Sequence, residues 1–383
     1  MQTSIDRIET VRNFVSSVFS GDLHAKRILS LADATLGAVT AASLAVAMIG
    51  HALAQARSLA DKHAIKQVDR LLSNQGVRVW DLFAPWIRHA VGGREQIVVA
   101  MDWTDFDADD QTTLALHLVT GHGRATPLLW LTVGKDELKN TRNDFEDLCL
   151  SRLKECLPDG VRVTILADRG FGDVKLFAFL ESLGFDYAIR FRGNIQVAAE
   201  NGETRLAADW VGKAGRARKL RNAELTAARC KVPAVVCVHA KNMKEPWCIA
   251  ASLRDATTGE IVSHYGKRWT IEPGFRDTKD LRFGMGLSAL RISDPQRRDR
   301  LLLVSALAVV LLTLLGAAGE SLGMDRLLKS NTSKRRTHSL FRQGCLLYDL
   351  IPNMPEHRLR PLIAKYAELL SKNNVFTETF GFV

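Results

Sequence analysis

The sequence predicts an α/β fold: a mixed sheet with helices on its faces, a β-rich insertion, and helical regions at both ends. Three observations carry that expectation. After Gly92-Gly93 the hydrophobic pattern changes from helical spacing to short apolar runs. Those runs follow the order three strands, helix, strand, helix, strand. A polar stretch over residues 194–244 then interrupts them before an apolar strand and a long apolar helix resume.

Residues 1–92 are patterned as helices. "KHAIKQVDRLLSNQGV" (62–77) is basic and amphipathic, with Ile65, Val68, Leu71 and Leu72 on one side; such a helix suits a DNA groove as well as it suits packing with its charges in water. The Ala-rich stretch 34–56, containing Gly37, Gly50 and His51, reads as a close-packed core helix. "QIVVAMDWT" (96–104) is a buried strand, and "TLALHLVTGHG" and "ATPLLWLTVG" follow it as a meander. A helix over 140–157, a strand over 161–171, a helix over 173–183 and a strand over 185–193 complete the order of a ribonuclease-H-like core. The insertion 194–244 holds strand-like pieces and the basic loop "GKAGRARKLR" (212–221), and "PWCIAASL" resumes the sheet. Beyond Ser330 a basic tail ends in a helix around 361–372. The expected units are residues 1–92, 93–193, 194–244, 245–328 and 329–383: a helical DNA-binding region, the first part of the core, the insertion, the second part of the core and a helical end.

Composition narrows the partners. Lys and Arg outnumber Asp and Glu by 52 to 42, a net charge of +10, which points to a polyanion and to nucleic acid first. The six cysteines include no C-x-x-C pair and no histidine pair at zinc-ligand spacing, so reduced thiols in a cytosolic protein are expected. The first residues lack the apolar core of a secretory signal. Residues 301–319 carry no charge and follow Arg297, Arg298 and Arg300, enough for a membrane span by length; a buried helix is expected instead, because no other segment reads as a span.

Candidate chemistry lies where apolar runs meet carboxylates. Asp102 and Asp168 each end such a run, and a hard Mg²⁺ ion prefers oxygen ligands of this kind, although a strand-end Asp also commonly caps a turn. "YGKRWTIEPGFRDTK" (265–279) supplies a third acid, Glu272. At about 100° per residue, Tyr265, Arg268, Glu272 and Lys279 fall within roughly 60° on a helix, bordered by Trp269 and Arg276. A solvated helix with an Arg268–Glu272 pair would share this pattern. Pro273 kinks the helix or starts it at Glu272.

The spacing Y-x2-R-x3-E-x6-K, with "MDWTD" and "LADRGF" upstream, resembles the signature of bacterial transposases of the insertion-sequence-4 type, within the DDE class, over residues 96–315. The resemblance implies that Asp102, Asp168 and Glu272 hold two Mg²⁺ ions, with Mn²⁺ able to substitute, and cut and join DNA at terminal inverted repeats. Tyr265, Arg268 and Lys279 would grip phosphates, Arg276 would lie beside them, and Trp269 would stack on a displaced base. It also implies a homodimeric synaptic complex, target DNA as second substrate, and a place at the bacterial nucleoid in the cytoplasm, with no membrane partner. Lys213, Arg216, Arg218 and Lys219 in the basic loop are further DNA candidates; Arg190 and Arg192 fit DNA contacts or surface ion pairs equally. A nuclease or a domesticated DNA-binding protein on the same fold is the alternative.

Overall fold

The computed structural model describes residues 2–371 and 379–381. Five helices precede the sheet: α1 (Gln2–Phe19), α2 (Ala25–Ala41), α3 (Val46–Arg57), α4 (Asp61–Leu72) and α5 (Val79–Val91). The apolar stretch 34–56 is therefore not one helix. It breaks after Ala42, which takes a left-handed φ of 45°, and α3 leaves at 99° to α2. No glycine or proline marks this break in the sequence. Gly37 and Gly50 instead permit close approach, since a Cβ on either would overlap Ile49 or Ile65. At the centre of these helices the buried Asp33 accepts from Arg12, Arg57 and Gln67, pairing a carboxylate that burial would otherwise penalise.

Ten strands form one sheet in the order β3-β2-β1-β4-β5-β10-β9-β8-β6-β7. β1 (Gln96–Phe106), β2 (Gln111–Val119) and β3 (Ala125–Gly134) make the antiparallel meander. After α6 (Arg142–Cys156), β4 (Arg162–Ala167) pairs parallel to β1; after α7 (Val174–Ser182), β5 (Asp186–Phe191) pairs parallel to β4. This is the ribonuclease-H-like arrangement, because parallel neighbours require the helical crossovers that α6 and α7 supply. The insertion is continuous with it. β6 (Gln196–Ala198), β7 (Thr204–Leu206), β8 (Arg218–Leu225) and β9 (Cys230–Val238) extend the same sheet, and β10 (Trp247–Ala251) joins them by pairing with both β5 and β9.

Alternation along the strands divides the interior in two. Ile97, Val99 and Met101 face the large core under α6 and α7, whereas Val98, Ala100 and Leu166 face a smaller cluster that includes Ile261, Tyr265 and Ile271. The latter three belong to the run α8 (Thr258–Gly266), a 3₁₀ turn, and α9 (Ile271–Lys279). α8 starts at a capping box, in which Thr257 and Glu260 satisfy each other's backbone N–H groups. Pro273 sits in the first turn of α9, where its missing N–H costs no helical bond.

α10 (Pro295–Ser321) is the one helix among the described residues long and apolar enough to cross a membrane, yet 83% of its apolar window is buried inside the protein. It packs on α11 (Leu340–Leu350) through Gly316 and Gly344, where a Cβ would overlap the partner helix's backbone. The arginines before the apolar run are structural. Arg300 donates to the carbonyls of Val77 (2.9 Å) and Leu72 (3.0 Å), Arg297 pairs with Asp69 (2.5 Å), and the fully buried Arg298 donates to Asp109 and Gln111. Together they bind α10 to the N-terminal helices and to β2. The last expected helix is α12 (Glu356–Ser371); Lys372 lies outside the described residues.

Candidate active site

Strand register brings the first two acids together. Parallel pairing of β1 with β4 ends at Met101 opposite Ala167, so Asp102 and Asp168 are the next residue on each strand. Neighbouring strands lie about 4.8 Å apart. Both aspartates keep the parity of Ala100 and Leu166, which turns them toward the face covered by α8 and α9. Asp102 is not at a strand end as the sequence suggests: β1 runs four residues further, paired with β2 only. Asp168 also fills the plain role open to it, accepting from the Gly170 N–H at 2.7 Å to cap a 3₁₀ turn.

Arg268 ties the third acid to this pair. Its side chain is 5% exposed and donates to Asp102 Oδ2 and to Glu272 Oε1, each at 3.3 Å, while its guanidinium lies 4.6 Å over the Trp269 ring. Burial pushes the Asp102 carboxyl up to about 6; the charges of Asp168 and Glu272 add to that rise and Arg268 opposes it. The three carboxylates therefore feel one another across the sheet–helix junction. Glu272 is half exposed, at the open side of the cluster.

The remaining signature residues divide into buried supports and open groups. Tyr265 is buried, edge-on to Trp247 at 4.9 Å, with its hydroxyl against Arg268 and so covered by that guanidinium in this structure. Lys279 reaches back to β1, donating to Thr104 Oγ1 (2.9 Å) and the Asp105 carbonyl (2.7 Å) over the Phe106 ring. Trp269 and Arg276 face solvent. Of the strand arginines, Arg190 is engaged by Glu245 (2.8 Å) and the Pro246 carbonyl, whereas Arg192 is exposed. The basic stretch is not one loop: Lys213 and Arg216 are exposed, Arg218 opens β8 and stacks on Trp210, and Lys219 donates to the carbonyls of Arg254 (2.7 Å) and Ala256 (2.5 Å).

Sequence reasoning missed Arg142 and Glu146 on α6. Glu146 accepts from Trp103 Nε1 and from Arg142, and Arg142 lies over the Trp103 and Phe171 rings beside the Asp168 turn. Their i,i+4 spacing was the only available signal, and many surface helices share it.

The donor set of carboxylate oxygens fits a hard divalent ion. With Arg268 between Asp102 and Glu272, no three His, Cys, Asp or Glu side chains among the described residues close around one point. An ion shared by Asp102 and Glu272 would have to displace the guanidinium that now bridges them.

A ribonuclease-H-like sheet with paired aspartates on adjacent parallel strands and a glutamate on a later helix defines a class of nucleic-acid-processing proteins. Residues 93–311, more than half of the chain, match the transposase DDE domain, and the chain belongs to that family. No curated protein matches the sequence.

Proposed function

We propose that this chain is a cut-and-paste transposase of the insertion-sequence-4 type, acting as a dimer at the nucleoid on terminal inverted repeats and target DNA. The observation that supports the reading most is the meeting of Asp102, Asp168 and Glu272, two of them on one guanidinium. Asp102, Asp168 and Glu272 would hold Mg²⁺, or Mn²⁺ in its place. Bound there, the ions would polarise the scissile phosphate and sharpen the attacking oxygen, water for cleavage and a DNA 3′-hydroxyl for joining.

The chain's own groups supply position. Arg268, once displaced from the carboxylates, is within reach of a phosphate lying over them and can meet it with its planar fork. Trp269, half exposed beside it, offers a ring for an unpaired base. Lys279 fixes α9 to β1, and through it the distance from Glu272 to Asp102. Residues 1–92 are the proposed end-binding region and residues 329–383 the proposed assembly region.

Single-turnover cleavage of a duplex bearing the terminal repeat that flanks the gene tests the reading. Asp168→Ala should lose at least about a hundredfold in Mg²⁺-dependent rate, near 2.7 kcal/mol of barrier, and keep end binding. A near-normal rate would remove Asp168 from the site. Joining of the cleaved 3′ end to a second duplex separates a transposase from a nuclease.

A further inference from the structure

Leu281 and Phe283 have the highest solvent exposure of the large hydrophobic side chains among the described residues, 73% and 54%. Scattered apolar groups on a surface need no explanation. These two differ, because the turn that carries them is built so that they cannot fold inward. Asp280 Oδ1 accepts from the N–H groups of Arg282 (2.8 Å) and Phe283 (2.6 Å), and the Asp280 carbonyl accepts from Gly284 and Gly286. Met285 is buried, donates to the Asp277 carbonyl and accepts from Leu44 in the connection between α2 and α3. Gly284 lies so close to the carbonyls of Arg276 and Asp277 that a Cβ would overlap them. The tip is clamped at its base and apolar at its end.

The surroundings indicate what covers it. Arg282 lies 5.1 Å over the Phe283 ring, and Arg276 is exposed in the last turn of α9; neither makes an ion pair among the described residues. Of the nearby acids, Asp277 is held by Arg124 at 2.9 Å, and Asp280, capped by two backbone N–H groups, feels the charges of Arg276 and Arg282 without closing an ion pair to either. A rigid apolar tip flanked by unpaired arginines suits a stacked polyanion, in which apolar side chains enter between bases while cations meet the phosphates on either side. Position agrees. Seven helical steps of about 1.5 Å carry the chain about 10 Å from Glu272 to Lys279, or about three base pairs at about 3.4 Å per pair, and the tip begins two residues further on.

We propose that Leu281 and Phe283 form a wedge that inserts between base pairs of duplex DNA a few pairs from the cleaved phosphate, with Arg276 and Arg282 on the flanking phosphates. This rests on the DNA-cleaving reading above.

The test uses the full chain without divalent metal, on terminal-repeat duplexes carrying 2-aminopurine at successive positions on both sides of the cleavage point. Wild-type protein should raise emission several-fold at one step about two to six pairs away. Leu281→Ala/Phe283→Ala should return it to the free-DNA level, and Phe283→Leu should retain most of the rise. No rise at any position with wild-type protein overturns the wedge, as does a rise that persists in the double variant. A double variant that shifts the free protein from dimer to monomer while emission stays high would assign the tip to a second copy and overturn it too. Wild-type cleavage without unstacking would sink the wedge alone; unstacking without Mg²⁺-dependent cleavage would sink the catalytic reading alone.

Discussion

Arg268 donates to Asp102 Oδ2 at 3.3 Å across 166 residues of sequence, and this contact joins the helical half of the site to the sheet. The same guanidinium holds Glu272, so one buried cation separates two carboxylates that would otherwise repel.

Removing that cation should cost both stability and rate. Because Glu272 is half exposed, the loss for Arg268→Ala is set below that of a fully buried pair, at about 1–3 kcal/mol. Mg²⁺ should shrink the loss, since it neutralises the same acids. Thermal unfolding with and without Mg²⁺ measures this; equal losses in both conditions would mean that the acids do not share the ion. Arg268→Lys, a point charge without a fork, should not restore cleavage.

Lys279 should behave as a strut rather than a phosphate clamp. A direct phosphate contact contributes about −0.9 to the slope of log K against log salt on duplex DNA. Lys279→Met should leave that slope unchanged while lowering single-turnover cleavage and costing about 1–2 kcal/mol, since its two bonds to Thr104 and Asp105 are lost. A slope shallower by nearly one would show that the amine reaches DNA.

The basic stretch should divide in the same assay. Lys213 and Arg216 are open to solvent, so Lys213→Ala/Arg216→Ala should flatten the slope by up to about 1.8 if both meet phosphates. Lys219→Ala, at a side chain spent on two carbonyls, should change stability and leave the slope alone.

Asp299 on α10 makes a pH prediction. Burial beside β3 pushes its carboxyl up to about 7, against the pull of its bond from the Thr132 N–H. Its ordinary value, kept in the unfolded chain, is 3.8. The folded state thus binds its proton more tightly between these values, so this group's contribution is fully present below about pH 4 and is lost as pH rises to about 7. Asp299→Asn should lack that fall; denaturant midpoints for both proteins at pH 5 and pH 8 measure it. An equal change in the two proteins would remove Asp299 as the cause.

Patterns with a short period were legible in the sequence. The order of β1 to β5 and their crossover helices, the place of Asp102 and Asp168 after apolar runs and the helix that begins around Glu272 follow from local sterics and apolar burial, although β4 stops at Ala167, short of the expected 171. Partnership was not legible, because it depends on which residues the crossovers set opposite one another. Register alone places Asp102 beside Asp168, and packing of α8 and α9 on that face alone puts Arg268 between two acids. The same lysine pattern yields an open Lys213 and a tethered Lys219, and the same apolar length yields a core helix in α10, because the groups that satisfy or cover them come from distant segments. Residue chemistry and period thus determined what each element offers, and tertiary packing decided what each offer meets.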